Sequence, residues 1–295
     1  MKRTGSKIMA AAVTALFAIA AAAGAADSGW AEVGKIFGQE GKALPGGVQK
    51  YGWPRRDLRV MIGEVRVQPA LALGSWAAFH SEGERAMAMG DLALVESEVN
   101  PVIRALRKGG LEVLAVHNHL LSESPRVVYV HFIGKGDAST LAQGIKSALA
   151  RTETPMLAGP PSAPGPAEKN RFAAFASALG REGTFSGTVL QVAVPRAEAI
   201  TEGGMEIPPS MGMAESINVQ ATSGGVATTG DFVLAADEVN PVIDALETHG
   251  IAVTALHSHM LRESPRLFFM HFWAAGDAAK IGEGLKAALS KVATK

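Results

Sequence analysis

The sequence predicts an α+β protein made by tandem duplication of a mostly antiparallel sheet domain with two helices per repeat. Two observations carry this prediction: long motifs occur twice, and short apolar stretches with strand-like alternation fill the segments between them. The hexapeptide Glu-Val-Asn-Pro-Val-Ile of residues 98–103 recurs unchanged at residues 238–243. Copies separated by about 140 residues form two domains rather than a solenoid of short repeats.

Strands are predicted where apolar residues alternate with polar ones between turn-forming residues. The predicted strands of the first copy are residues 48–53, 58–67, 75–80, 86–95, 111–116 and 126–132, and residues 216–220 and 225–235 answer to the third and fourth of these in the second copy.

Two helices are predicted in each copy from their boundary residues. In the first helix Asn100 is the expected N-cap and Pro101 the first helical residue, and Gly109-Gly110 is the expected end. The last helix of each copy follows Asp137 or Asp277, with apolar residues at helical spacing.

The N-terminus and the middle of the chain have different compositions from the two copies. Residues 1–26 have a basic start, an Ala-rich apolar run and small residues at the expected cleavage position, which predicts a secretory signal peptide. A retained membrane anchor is the alternative, and the weak hydropathy of the run disfavours it. The first repeat is then expected at 27–150, a Pro-rich linker at 151–168 and the second repeat at 169–295. A periplasmic or secreted location follows.

Charge and cysteine content exclude several classes of function. The chain has 28 basic and 28 acidic residues and no basic tract after the signal peptide, so we expect no binding to nucleic acid. No later segment approaches the roughly 20 apolar residues that span a membrane. Because cysteine is absent, any metal must be bound by His, Asp, Glu or water.

Histidine is rare in this chain, and six of its eight histidines lie in two matching triads. The triads are His117, His119 and His131 in the first copy, and His257, His259 and His271 in the second. Residues two apart on a strand share a face, and a hairpin about residue 124 would place the third histidine opposite the first. The three imidazoles of each copy are therefore expected to meet, although a register slip of one residue would separate them.

Three neutral imidazoles with an open position are typical of a catalytic or exchangeable metal site. Zinc or another divalent transition metal is the expected cofactor, since nickel, copper and iron also accept imidazole. The alternative is that the histidines are core or interface residues bonded to backbone carbonyls. The sequence favours a three-histidine metal site in each repeat.

Two further pairs of residues stand close to the triads. Glu123 and Glu263 lie in the turn after His-x-His, where a carboxylate could move protons, orient an imidazole or simply be solvated. Arg126 and Arg266 begin the returning strand, where a guanidinium could clamp a carboxylate substrate or pair with the neighbouring glutamate. All four are candidate catalytic residues.

Two more acidic pairs are expected to have structural roles. Asp91 and Asp231 each follow a glycine at a predicted strand start, which favours a turn role over metal ligation. Glu98 and Glu238 precede the predicted N-cap and are expected to support the helix terminus.

These motifs together resemble the LppY/LpqO family of bacterial secreted proteins. The resemblance rests on the Gly-Asp-[Leu/Phe] strand, Glu-Val-Asn-Pro-Val-Ile, the His-x-His turn and Glu-Ser-Pro-Arg, and it covers nearly the whole chain after the signal peptide. It implies localisation and architecture rather than an activity.

A second resemblance covers about 15 residues. Acetolactate decarboxylases hold zinc with a motif like His-x-His-Phe-Leu-Ser-Asp and a later third histidine, and residues 117–123 with His131 are similar to it. The second copy has Arg262 where the motif has serine. The spacing to the third histidine is one residue longer here, and the Gly-Gly before it is missing, so the resemblance implies the metal ligands more than the decarboxylation.

The predicted function is therefore an exported metal-binding protein, with a zinc-dependent lyase or hydrolase acting on a small carboxylate or carbonyl compound as the enzymatic form of this hypothesis. The alternative is a non-enzymatic cell-envelope protein that binds a ligand or partner. A duplicated domain with a purely structural role is the third interpretation.

Overall fold

The computed structural model describes residues 30–83, 85–156 and 163–295. The predicted signal peptide lies outside these residues. Within the described part of the chain, no helix is both long and apolar enough to cross a membrane.

The elements of the first repeat run from a short N-terminal helix to a long C-terminal one. They are α1 (30–37), β1 (Lys42–Leu44), β2 (Val48–Pro54), β3 (Met61–Ile62), β4 (Val65–Arg66), α2 (Pro69–Ala72), β5 (Gly74–Glu82), β6 (Arg85–Leu94), α3 (Glu96–Lys108), β7 (Glu112–His117), β8 (Glu123–Ser124), β9 (Val128–Gly136) and α4 (Ala138–Leu149).

The second repeat has the same order of elements, with a 3-10 turn at Pro209–Met211 in place of α2. They are α5 (Pro166–Leu179), β10 (Thr184–Ser186), β11 (Val189–Pro195), β12 (Thr201–Glu202), β13 (Met205–Glu206), β14 (Ala214–Thr222), β15 (Gly225–Leu234), α6 (Val239–Thr248), β16 (Ala252–His257), β17 (Glu263–Ser264), β18 (Phe268–Gly276) and α7 (Ala278–Leu289).

Each repeat forms a six-stranded sheet, in the order β1-β2-β5-β6-β9-β7 or β10-β11-β14-β15-β18-β16, and its paired strands are antiparallel. A three-stranded sheet beside it joins β3 and β4 to β8, or β12 and β13 to β17. The predicted fold class, an α+β duplication with antiparallel sheets, is confirmed.

The two faces of each large sheet have different partners. On β9, Val130 and Phe132 pack into the core that the sheet shares with the helices of its own repeat. Side chains alternate along a strand, so Tyr129, His131 and Ile133 point to the other face. That second face packs against the other repeat: one apolar cluster joins Met87, Met89 and Ile133 to residues of the second repeat that include Phe269 and Met260.

The start of the first predicted helix differs from the prediction. Helix α3 begins at Glu96, so Asn100 and Pro101 lie inside its first turns rather than at its start. The side chain of Glu98 accepts a hydrogen bond from the Val95 N–H at 2.9 Å, which supplies the cap that the sequence assigned to Asn100. The support that Glu98 was expected to give the helix terminus is confirmed.

The predicted strand 58–67 is instead two short strands, β3 and β4. They are joined by a turn in which Gly63 has a φ of 54°, a conformation that glycine adopts at low cost.

The sequence did not predict α1 or α5. Residues 166–168, the end of the predicted linker, form the first turn of α5. Gly38 and Gly180 follow these helices with a φ of 72° each, which is the left-handed conformation that commonly ends a helix. Their matching positions extend the duplication to the N-terminal helix of each repeat.

Candidate metal centre

Strand register decides which side chains meet at the centre. His117 is paired with Tyr129, and His131 is paired with Ala115, with a bulge between Val113 and Ala115. The predicted pairing of His117 with His131 is wrong by two residues. Because side chains alternate with a period of two, the shift keeps His131 on the predicted face.

The other neighbour of each histidine-bearing strand contributes an acidic residue. Asp91 on β6 is paired with His131, and Asp231 on β15 is paired with His271. Both aspartates therefore lie inside strands, beside the imidazoles, and the predicted turn role is wrong. The signal that sequence reasoning missed was that Gly-Asp-[Leu/Phe] sits within an apolar strand in both copies.

The six histidines form one cluster between the repeats instead of two separate sites. The shortest ring-centroid distances between the repeats are 4.1 Å for His117 and His257, 3.9 Å for His119 and His271, and 4.5 Å for His131 and His259. Each sheet presents its histidines on the face that packs against the other sheet, so the two triads merge. The expected separate site in each repeat is not the observed arrangement.

Four histidines bring one ring nitrogen each within 4.8 Å of the others: His117, His257, His259 and His271. The complete triad of the second repeat is thus brought together as predicted, and the first repeat adds one member. Tetrahedral zinc with Zn–N bonds of about 2.0–2.1 Å places its nitrogens about 3.4 Å apart. A small inward movement of these rings would satisfy that geometry.

Hydrogen bonds fix which nitrogens of this group have free lone pairs. Nδ1 of His271 lies 3.0 Å from the Gly230 carbonyl oxygen, which requires a proton on Nδ1 and leaves the Nε2 lone pair free. The Nε2 atoms of His257, His259 and His271 are buried and have no hydrogen-bond partner among the described residues. Buried polar atoms are normally paired, so three unpaired nitrogens on three histidines of one candidate group fit a metal ion.

A second group combines the first-repeat His-x-His with a carboxylate. Nε2 of His119 lies 3.3 Å from Oδ2 of Asp91 and 3.1 Å from Nε2 of His117. Among the described residues, His131 belongs to neither group and stacks on His259 instead. The first-repeat triad is therefore not reassembled as a ligand set, because Asp91 takes the place expected for His131.

Burial keeps these imidazoles uncharged. It lowers the pKa of all six cluster histidines, to about 4 for His131, and neighbouring imidazoles lower the pKa of His119 and His259 further. Burial also raises the pKa of the Asp231 carboxyl well above its usual range, with Glu215 and Asp91 adding to the effect. Neutral imidazole is the form that binds a metal, so the cluster is ready for one near neutral pH.

Stacking within each repeat and a hydrogen bond between the repeats hold the histidine-bearing segments in place. His119 stacks on Tyr129 and His259 on Phe269, with centroid distances of 3.4 and 3.8 Å. The hydroxyl of Thr254 donates to the His119 carbonyl oxygen at 2.6 Å, so a second-repeat strand fixes a first-repeat loop.

The candidate catalytic glutamates are buried, not solvated. Glu123 and Glu263 are 9% and 7% exposed. Each accepts a backbone hydrogen bond at 3.2 Å, from Val127 or Leu267. The solvated-turn alternative is wrong for both, whereas their part in proton transfer stays a prediction.

The two candidate arginines differ. Arg266 lies 3.1 Å from Glu263 and also donates to the Ser258 hydroxyl, so the expected pairing with the neighbouring glutamate holds here. Arg126 has no ion pair or hydrogen bond with another described residue. It lines a cleft of about 300 Å³ that also borders Glu123 and His117.

Comparison with known proteins identifies a family but no activity. The family profile described as Domain of Unknown Function (DUF1259) matches the chain twice, over residues 31–151 and 173–291. No match was found among curated proteins.

Solved structures with some similarity include the trimeric bacterial microcompartment shell protein PduB, at 12% identity over 84% of this chain and 88% of that one, with a TM-score of 0.22. EtuB from Clostridium kluyveri is 9% identical over 84% of this chain and 90% of its own, with a TM-score of 0.20. We draw no conclusion from likenesses this low.

Proposed function

We propose that this chain, which belongs to the Domain of Unknown Function (DUF1259) family, is an exported metal-binding protein. It holds one divalent transition metal between its two repeats. His257, His259 and His271 supply three ligands from the second repeat, and His117 supplies a fourth from the first. The observation that carries the proposal is that these four ring nitrogens lie within 4.8 Å of one another. Export rests on the predicted signal peptide at residues 1–26.

The donor set favours zinc. All four ligands are neutral imidazoles, which suit zinc and the neighbouring late transition metals better than magnesium or calcium. Asp231 lies behind the site with its Oδ1 3.7 Å from Nδ1 of His271, but it is the Gly230 carbonyl oxygen that accepts from Nδ1 and orients the ring. We expect one metal ion per chain rather than two. His117 belongs to both candidate groups, so the two groups share a ligand and are not independent sites.

A lyase or hydrolase is the second candidate function, and the position of His117 favours it. His117 borders the cleft and has other partners at hand in Asp91 and His119, so it can leave the metal and open a coordination position. A bound divalent metal would polarise a carbonyl group or acidify a water molecule there. Glu123, in the wall of the same cleft, would accept the proton.

The test is elemental analysis of tag-free protein after exposure to zinc and removal of loosely bound ions. We expect about one zinc per chain in the wild type, because the two triads merge into one centre. His259→Ala should retain less than a tenth of that zinc, since it removes a buried ligand.

Two variants control for the general loss of a histidine. The first is His249→Ala, because His249 lies outside the cluster. The second is His131→Ala, because His131 lies inside the cluster but belongs to neither ligand group. Both should keep the wild-type zinc content. Two zinc ions per chain, or equal zinc in the wild type and His259→Ala, would overturn the proposal.

A further inference from the structure

The structure assigns different tasks to the two repeats at the shared centre. We propose that the first-repeat cleft binds a small carboxylate with a short apolar tail through Arg126, and that the matching turn of the second repeat is closed by its own ion pair. This inference rests on the proposed function for the identity of the centre, but Arg126 and the cleft are defined without a metal.

The two arginines of the second-repeat turn are already paired: Arg262 lies 3.1 Å from Glu112 of the first repeat, and Arg266 has partners within the turn. Arg266 is held by Glu263 at 3.1 Å and by the Ser258 hydroxyl at 3.0 Å. Its Nη1 also lies 3.4 Å from the Met260 carbonyl oxygen. A ligand carboxylate would have to displace an ion pair already made, with no gain in the number of charge-assisted hydrogen bonds.

The first-repeat turn differs from the second at residues 118, 120 and 122, and the change at 118 replaces the serine hydroxyl to which Arg266 donates. Asn118 stands where the second repeat has Ser258, and its amide donates to the carbonyl oxygens of Leu120 and Thr254 at 3.0 and 3.1 Å. The amide nitrogen at this position is thus committed to the turn and to the inter-repeat contact, and Arg126 makes no hydrogen bond to this side chain. Within the described part of the chain, Arg126 has no ion pair or hydrogen bond, although Glu123 lies three residues before it.

The apolar residues that line the cleft favour a ligand with an apolar tail. Val116 and Leu121 are 51% and 52% exposed, and both line the cleft beside Val128. Large apolar side chains exposed beside a polar pocket mark a binding surface. His117 closes one side of the cleft, so a ligand there reaches the metal centre.

The positive charge of Arg126 favours a carboxylate ligand over a neutral compound. A guanidinium binds a carboxylate through two parallel hydrogen bonds, and Arg126 has all of its donors free for this. Glu123 borders the same cleft, but its Oε1 accepts the Val127 N–H. The ligand carboxylate must therefore lie on the Arg126 side, with its tail against Val116 and Leu121.

The experiment measures the binding of pentanoate and of the neutral analogue pentanamide to the zinc-treated full-length protein by isothermal titration calorimetry. We expect pentanoate to bind at least tenfold more tightly than pentanamide. Arg126→Gln should weaken pentanoate binding at least tenfold, whereas the matched Arg266→Gln should change it less than twofold.

Equal effects of the two arginine variants, or no heat of pentanoate binding to the wild type, would overturn this inference. Zinc content of each variant, measured in parallel, separates this failure from failure of the metal proposal. If zinc is absent but pentanoate binding still depends on Arg126, the cleft assignment stands and the metal assignment fails.

Discussion

At position 215 the second repeat carries a glutamate where the first repeat carries Ser75. Both side chains accept a backbone N–H from the neighbouring strand, Ser75 from Ala93 at 3.0 Å and Glu215 from Val233 at 2.6 Å. The serine does so without charge. The Glu215 carboxyl has no solvent exposure and lies 4.0 Å from Arg196, and burial raises its pKa to about 8. The nearby Glu238 and Glu198 also raise it, while the Val233 N–H and Arg196 lower it.

This pKa predicts a stability change with pH. Between about pH 4.5 and 8 the folded state keeps a proton on Glu215 that the unfolded chain has released. The stabilisation is fully present below the unfolded pKa and is lost as pH rises through the folded one. Glu215→Gln mimics the protonated form, so it should match the wild type near pH 4.5 and exceed its free energy of unfolding by on the order of 4 kcal/mol at pH 8.5.

Urea unfolding at both pH values, in the presence of a chelator, measures this difference. Glu247→Gln is the control, since Glu247 is exposed and its side chain has no ion pair or hydrogen bond with another described residue. A difference between Glu215→Gln and the wild type that does not change with pH would contradict the raised pKa.

Helix α3 begins four residues before the predicted N-cap Asn100, because a long-range contact of Glu98 fixes its start. The Glu98 carboxylate accepts hydrogen bonds from both Nη atoms of Arg55, at 2.6 and 3.1 Å. It also accepts from the backbone N–H groups of Val95 and Glu153. This one carboxylate joins β2, the start of α3 and the segment after α4. Asn-Pro is a sound local signal for a helix start, but Arg55 lies 43 residues before Glu98, and no local pattern reveals the pair.

Removing this carboxylate should be costly. Arg55 is 1% exposed, and Glu98→Ala removes two of its charge-assisted hydrogen bonds and two capping contacts to backbone N–H groups, with only the Asp57 carboxylate left to pair with the buried guanidinium. We expect a loss of about 3–5 kcal/mol in the free energy of unfolding, measured by urea denaturation.

The matched control is Glu32→Ala, which breaks the exposed Lys35–Glu32 pair at 3.2 Å and should cost less than about 0.5 kcal/mol. A cost below about 1 kcal/mol for Glu98→Ala would mean that the pair contributes little to α3. The duplicated pair of Arg196 and Glu238 should respond as Arg55 and Glu98 do, since its Nη1 to Oε2 distance is 2.7 Å.

For the whole molecule, duplication explains both what the sequence could predict and what it could not. Each repeat carries its own strand pattern and capping residues, such as Asp137 and Asp277, whose side chains accept from Thr140 and Lys280 as expected. The face of His131 was predictable for the same reason, because a two-residue shift in register preserves it.

How the two sheets pack was not predictable from either repeat alone. The packing merges the histidine triads into one cluster and places His117 with the three histidines of the second repeat. It also makes the repeats unequal, since Asn118 contacts the other repeat, whereas Ser258 accepts a hydrogen bond from Arg266, which is also paired with Glu263. Identical motifs in sequence thus take different chemical positions in the fold.

The most direct test of a centre shared between the repeats is anomalous diffraction from zinc-loaded crystals, recorded on either side of the zinc absorption edge. We predict one zinc ion per chain, with Nε2 of His257, His259 and His271 and one nitrogen of His117 at about 2.0–2.1 Å. One zinc ion within each repeat, bound by that repeat's own three histidines, would contradict it, as would a zinc ion bound to none of the six.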